Sequence, residues 1–176
     1  MTIPSQDLHF NIGWLAGIID GEGSIIAYRS KSNNFYHIRI YVINTDARII
    51  ERCLEIFTEL DILAYVNQKT TSKKQREGSF KYSKVCWEII ISRRDAVQKL
   101  LTLISPLLVG DKKEKALNGL NYLNTNQFNA GRKSGVTTER LAPETNLERF
   151  RMKLQSALIG NSEKLAEMTS SAFKSE

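Results

Sequence analysis

Cysteine is nearly missing from this chain: Cys53 and Cys86 are the only two among 176 residues. Each sits alone in an apolar-periodic segment. That excludes a disulfide framework and a cysteine-bound zinc site, and it points to reduced thiols in an intracellular protein. Histidine is as scarce, with only His9 and His37, and their spacing suits no metal-ligand pair. No apolar run reaches the roughly 18 residues that a membrane span needs. The segment from Met1 to Phe10 lacks the basic and apolar regions of a signal peptide. No Gly-rich phosphate loop and no Ser/His/Asp arrangement stands out. A soluble protein with no membrane partner is the expectation.

What is present is a basic surplus and enough apolar residues for a core. The net charge is +6, and 41% of residues are hydrophobic, which suits one domain without disulfides or a structural metal. Residues 11 to 19 read as a short helix, with Asn11 able to cap its start and Gly21 and Gly23 stopping it. Ser24 to Lys31 and Phe35 to Thr45 read as a hairpin. Its second strand alternates Tyr36, Ile38, Ile40 and Val42 with His37, Arg39 and Tyr41.

Asp46 to Leu60 switches to helical spacing. Ile62 to Thr70 and Phe80 to Ser92 form a second hairpin around the basic loop Thr71 to Ser79, with Val85, Trp87, Ile89 and Ile91 expected inward. Two more helices follow, Asp95 to Leu108 and Asp111 to Leu123, separated by Pro106 and Gly110. The order αββαββα plus one helix predicts an α+β fold: a four-stranded antiparallel sheet with helices on one face and the other face open. We expect this core over residues 1–124, a polar linker over 125–143 and a helical extension or tail over 144–176. Leu147, Phe150, Leu154 and Leu158 mark a last helix. Arg132, Lys133, Arg140, Arg149 and Arg151 in this region either add phosphate contacts or accompany simple packing of that helix on the domain.

The charge is unevenly placed. Across residues 24–45 and 62–84 stand Arg29, Lys31, Arg39, Lys69, Lys73, Lys74, Arg76, Lys81 and Lys84 against the single acid Glu77. Tyr28, His37, Tyr41, Tyr65, Asn67 and Gln68 are interleaved with them. Such residues suit hydrogen bonding to base edges and phosphates, and a twisted two-stranded ribbon fits the major groove of B-form DNA. The competing reading is a solvated basic sheet face.

Gly13, Gly17 and Gly21 recur every four residues, which leaves one side of the first helix nearly flat. Glycine inside a helix costs roughly 0.5–1 kcal/mol against alanine, so three in register imply a close packing partner. With one copy per chain, the natural partner is the same helix of a second subunit on a two-fold axis. Asp20 and Glu22 end this helix, where the macrodipole disfavours negative charge. A dimer would bring the acids of two chains near the axis, a setting stabilised by divalent cations. Asp20 reads equally well as a helix-end residue satisfying backbone N–H groups.

The segment Leu15-Ala16-Gly17-Ile18-Ile19-Asp20-Gly21-Glu22-Gly23 resembles, almost position for position, the signature of the LAGLIDADG homing endonucleases of the single-motif, homodimeric type. Ser24-Ile25 extends the match, and the αββαββα order is that family's core. The resemblance implies a site-specific homing endonuclease, a Mg²⁺-dependent phosphodiester hydrolase that makes a double-strand break in a long pseudo-palindromic DNA target and leaves short 3′ overhangs. Mn²⁺ is expected to substitute and Ca²⁺ to bind without supporting cleavage.

By the same resemblance, Glu22 holds the motif position of the metal-ligating acid, usually Asp in the family, with Gly21 and Asp20 completing the expected metal site. Lys112 is the first candidate for a lysine near the scissile phosphate and Lys113 the second. Asn44 stands where a polar residue orders water in the family, and it could also cap the following helix. The base-reading positions correspond to Ser24, Ile26, Tyr28, Ser30, His37, Arg39, Tyr41, Asn67 and Lys69, with Lys73, Lys74, Arg76 and Lys84 as further DNA contacts. Gly13, Ala16, Gly17, Asp20 and Gly21 are the expected dimer interface.

Proteins of this kind are intron-encoded or free-standing mobile genetic elements. The expected setting is the cytoplasm or nucleoid of a bacterium or phage host, or an organelle. The alternative function is an intron maturase, bound to intron RNA, or another non-cleaving DNA- or RNA-binding protein on the same fold.

Overall fold

The computed structural model of the protein describes residues 5–29, 36–72, 83–125 and 146–156. The elements run α1 (Ser5–Glu22), β1 (Gly23–Arg29), β2 (Tyr36–Asn44), α2 (Ala47–Glu59), β3 (Tyr65–Ser72), β4 (Ser83–Ile91), α3 (Arg94–Ile104) and α4 (Gly110–Thr125). A further helix, α5, covers residues 146–156. The four strands form one antiparallel sheet in the order β1-β2-β4-β3. The expected α+β architecture is therefore present, including the four-stranded sheet with helices on one face.

Strand alternation decides which face is covered. Ile25 of β1, Ile38, Ile40 and Val42 of β2, and Trp87, Ile89 and Ile91 of β4 all point into the core. They meet Leu15 and Ile19 of α1, Ile50, Leu54 and Phe57 of α2, and Val97, Leu100 and Leu101 of α3 there. The other phase presents Ser24, Ile26 and Tyr28 of β1, His37, Arg39 and Tyr41 of β2, Asn67 and Lys69 of β3, and Glu88 of β4 on the opposite face.

Several local expectations need correction. Asn11 caps nothing: α1 begins at Ser5, so Asn11 lies inside the helix and is buried. Its Nδ2 donates to Glu59 Oε2 at 3.0 Å, and its Oδ1 accepts from Arg52 Nη2 at 2.7 Å, which ties α1 to α2. Gly21 does not stop the helix, which runs to Glu22 and passes into β1 with no loop between. That junction explains Gly23. A Cβ there would lie 2.7 Å from the Ile19 carbonyl oxygen, closer than any side chain tolerates.

Val85 is 42% exposed although it shares the phase of Trp87, because among the described residues the helical cover ends at Trp87, on which Phe150 packs edge-on at 5.0 Å. The strand β3 starts at Tyr65, later than expected, and includes Thr71 and Ser72. Ile62, Leu63 and Ala64 are buried as irregular chain before it.

The helix α5 packs on the domain. Phe150 is buried in the main core, and Leu147 and Leu154 pack against it. Arg151 donates through Nε to Glu51 Oε1 at 2.6 Å and through Nη2 to Glu55 Oε1 at 3.0 Å. Arg151 thus pairs with acids of α2. Leu158, Arg132, Lys133 and Arg140 lie outside the described residues.

Candidate functional site

The last turn of α1 collects most of the residues that the sequence singles out. Asp20 is half-buried, and its Oδ2 accepts the backbone N–H of Val109 at 3.1 Å. Lys112, near the start of α4, reaches the same turn and donates from Nζ to the carbonyl oxygens of Ile19, at 2.9 Å, and of Asp20. A lysine on the final carbonyls of a helix offsets the negative end of its dipole. Gly110, with φ of +55°, makes the sharp entry into α4 that aims Lys112 this way. Lys113, one residue on, is exposed.

Glu22 closes α1 under different conditions. It is exposed, and among the described residues no group bonds its carboxylate. Two acids on one turn thus have separate fates: Asp20 joins α1 to the α3–α4 connection, and Glu22 is left to solvent. Among the described residues, no three of His, Cys, Asp and Glu gather in one chain to enclose a metal. Asn44 sits at the end of β2, where its Oδ1 accepts the N–H of Asp46 at 2.8 Å. Asp46 in turn caps α2 by accepting from Arg48 N at 2.9 Å, and the Arg48 side chain holds its carboxyl down at about 2.

The face of α1 away from the core is flat, as the glycine spacing requires. Gly13, Gly17 and Gly21 are exposed, and a Cβ on any of them would meet nothing within 4 Å. Phe10, 69% exposed, precedes this stripe by one turn. Ala16 departs from the expected interface set: at 2% exposure it belongs to the core side of the helix. The helical period puts it about 100° away from Gly17.

On the open face of the sheet the structure brings four of the proposed base-reading residues into one cluster. The ring of Tyr28 stacks on His37 at 5.4 Å between centroids. The Arg39 guanidinium lies 5.0 Å from the Tyr28 ring centre and donates from Nη1 to the Tyr41 hydroxyl at 3.4 Å. That hydrogen bond is the main reason Arg39 holds its proton more tightly than a free arginine. Cation and rings are thus held together by contacts within the sheet itself. Ser24, Ile26, Asn67 and Lys69 are exposed on the same face. Ser30, Lys73, Lys74 and Arg76 lie outside the described residues, and Lys84 is in β4 opposite Thr71.

One residue of this face was missed by the sequence. Glu88 of β4 is 3% exposed and pairs with Lys69 at 2.5 Å. A charge count that stops at residue 84 leaves it out. The signal was available: it stands between Trp87 and Ile89 in a strand whose odd positions turn inward, so its own side chain turns outward.

The model of the LAGLIDADG-like domain family matches residues 9–105, more than half of the chain, from α1 to the end of α3. No curated protein sequence matches. Among solved structures, the chain is similar to the homing endonuclease I-CvuI in complex with its Sro1.3 target in the presence of Ca, at 19% identity and a TM-score of 0.47, covering 68% of this chain and 69% of that one. It is also similar to I-CvuI in complex with the I-CreI target in the presence of Mg, where the DNA is not cleaved, at 17% identity and a TM-score of 0.44 over 85% and 97% of the two chains. A third is an I-DmoI variant with its target DNA in the presence of Mn, at 14% identity and a TM-score of 0.31 over 68% and 76%.

Proposed function

We propose that this chain, which belongs to the LAGLIDADG-like domain family, is a homing endonuclease that works as a two-fold dimer and cuts both strands of a long, near-palindromic DNA site. The observation that carries this reading is Glu22: an exposed acid at the unfavourable end of a helix, with no partner among the described residues, in the same turn as the Lys112 ammonium. An acid that the fold leaves exposed, at the end of a helix whose last carbonyls hold a lysine ammonium, suits chemistry on a phosphodiester.

The donor set suits a hard divalent cation. Only oxygen donors are available at this turn, and Mg²⁺ is commonly held by one or two carboxylates together with substrate phosphates. Glu22 would hold it, with the peptide of Gly21 adjacent and Asp20 occupied by Val109. The cation would supply Lewis-acid activation of water and stabilisation of the leaving oxygen. Lys112, held on the last carbonyls of α1, would supply a positive charge near the scissile phosphate. Asn44 fixes the turn between β2 and α2 by accepting the Asp46 N–H and would help order water at the site. The flat glycine face of α1 would pack on its mate in a second copy, bringing two Glu22 residues to one DNA duplex. The Arg39 cluster and the exposed polar residues of β1, β2 and β3 would read base edges, and the basic hairpins would hold phosphates.

Selection of a target from a random DNA pool, followed by incubation with Mg²⁺, tests this reading. Enrichment of a sequence with two-fold symmetry and its conversion to a linear product with 3′ overhangs are expected. Enrichment without cutting under Mg²⁺ or Mn²⁺ would replace it with the non-cleaving alternative.

A further inference from the structure

The open face of the sheet carries a buried carboxylate where a DNA-binding surface has little use for one. Glu88 lies on the central strand β4, opposite Ile43 on β2 and Asn67 on β3. Its side chain is 4% exposed and that of Lys69 is 51% exposed, with 2.5 Å between Nζ and Oε1. Lys69 stands opposite Cys86, so the two charges are diagonal neighbours across the β3–β4 ladder. Stability is a weak reason for such a pair, because apolar replacements of buried ion pairs are often neutral or stabilising.

We propose that Glu88 is a positioning residue that holds Lys69 over the middle of the sheet as a reader of guanine instead of a phosphate clamp. A free lysine is a point charge on a flexible four-carbon stem, and on a basic face it swings to the nearest phosphate. Bonded to Glu88, the ammonium keeps two of its three donors for acceptors above the sheet. Guanine presents two such acceptors, N7 and O6, in the major groove. The pair is neutral overall, so it displaces no counterion from the duplex. It contributes selectivity and little salt-dependent affinity. The Arg39 cluster does the corresponding work on the β1–β2 ribbon with aromatic rings in place of an acid.

This inference rests on the DNA-binding reading above, and its test separates the two. Wild type, Glu88→Gln, and the double variant Lys69→Met with Glu88→Gln would each be taken through selection from a random pool. Their DNA affinities would then be measured against salt with Ca²⁺ as the supporting ion. Glu88→Gln releases Lys69: the slope of log affinity against log salt is expected to steepen by about one phosphate contact per chain. A guanine preference at one position of each half-site is expected to fall about tenfold. The double variant, which keeps the net charge and needs no buried ion, is expected to lose the same preference with the slope unchanged.

A double variant with a shallower slope and unchanged base preferences would overturn the assignment and make Lys69 a phosphate contact. Unchanged preferences in both variants would overturn it as well. If the wild type itself enriches no sequence, the DNA-binding reading fails first.

Discussion

The last turn of α1 and the seam between α2 and α5 both place acids beside a cation, and they resolve the charges differently. At the seam, Glu51 and Glu55 both accept from Arg151, and Phe150 is buried against Trp87 beneath it. Every charged group named there has a partner, as expected of a surface that only has to hold a helix down. At the end of α1, Lys112 is directed to backbone carbonyls and Asp20 to a backbone N–H, and among the described residues Glu22 has no partner. The named charges at the seam are thus paired with one another, whereas at the end of α1 the fold uses Lys112 and Asp20 on backbone groups and leaves the Glu22 carboxylate exposed.

Breaking this contrast gives a graded set of outcomes. Glu22→Gln should lower the cleavage rate on the order of a hundredfold or more, since even outer-shell changes at metal sites cost 10–100-fold. DNA binding should stay close to wild type, as read by single-turnover kinetics beside a binding isotherm. Gly17→Leu should abolish dimerisation and double-strand cutting together. A Cβ at Gly17 meets nothing within 4 Å, so thermal unfolding of the monomer should change little while sedimentation reports a single chain.

Phe150→Ala should cost roughly 3–5 kcal/mol of stability, the usual range for emptying a buried aromatic site. Chemical denaturation reads that loss, and cleavage per folded molecule at low temperature should persist. The smallest effect concerns Cys53, whose thiol is pushed up to about 12 by burial. Alkylation at neutral pH should leave it unmodified until the protein unfolds.

Much of the fold is legible in the residues, because alternation in Ile38, Ile40 and Val42 and helical spacing in Ile50, Leu54 and Phe57 each select one period. What periodicity cannot report is a side chain's partner. Asn11 looks like a cap because asparagine commonly starts helices, yet a buried Glu59–Asn11–Arg52 contact, 41 to 48 residues away in sequence, claims it. Val85 follows the inward phase and is still exposed, because the extent of the helical layer depends on where Phe150 lands. The candidate site was legible as far as the nine-residue motif. Which of its two acids the fold consumes depends on Val109, 89 residues away.

That division of labour is open to one direct measurement. Asp20→Asn keeps an oxygen to accept the Val109 N–H, whereas Glu22→Gln removes the acid proposed to act on the phosphodiester. Single-turnover cleavage of the selected site by both variants, at saturating protein and in Mg²⁺, should leave Asp20→Asn within about tenfold of wild type and Glu22→Gln nearly inactive. An active Glu22→Gln beside an inactive Asp20→Asn would contradict the assignment of Glu22 as the functional acid.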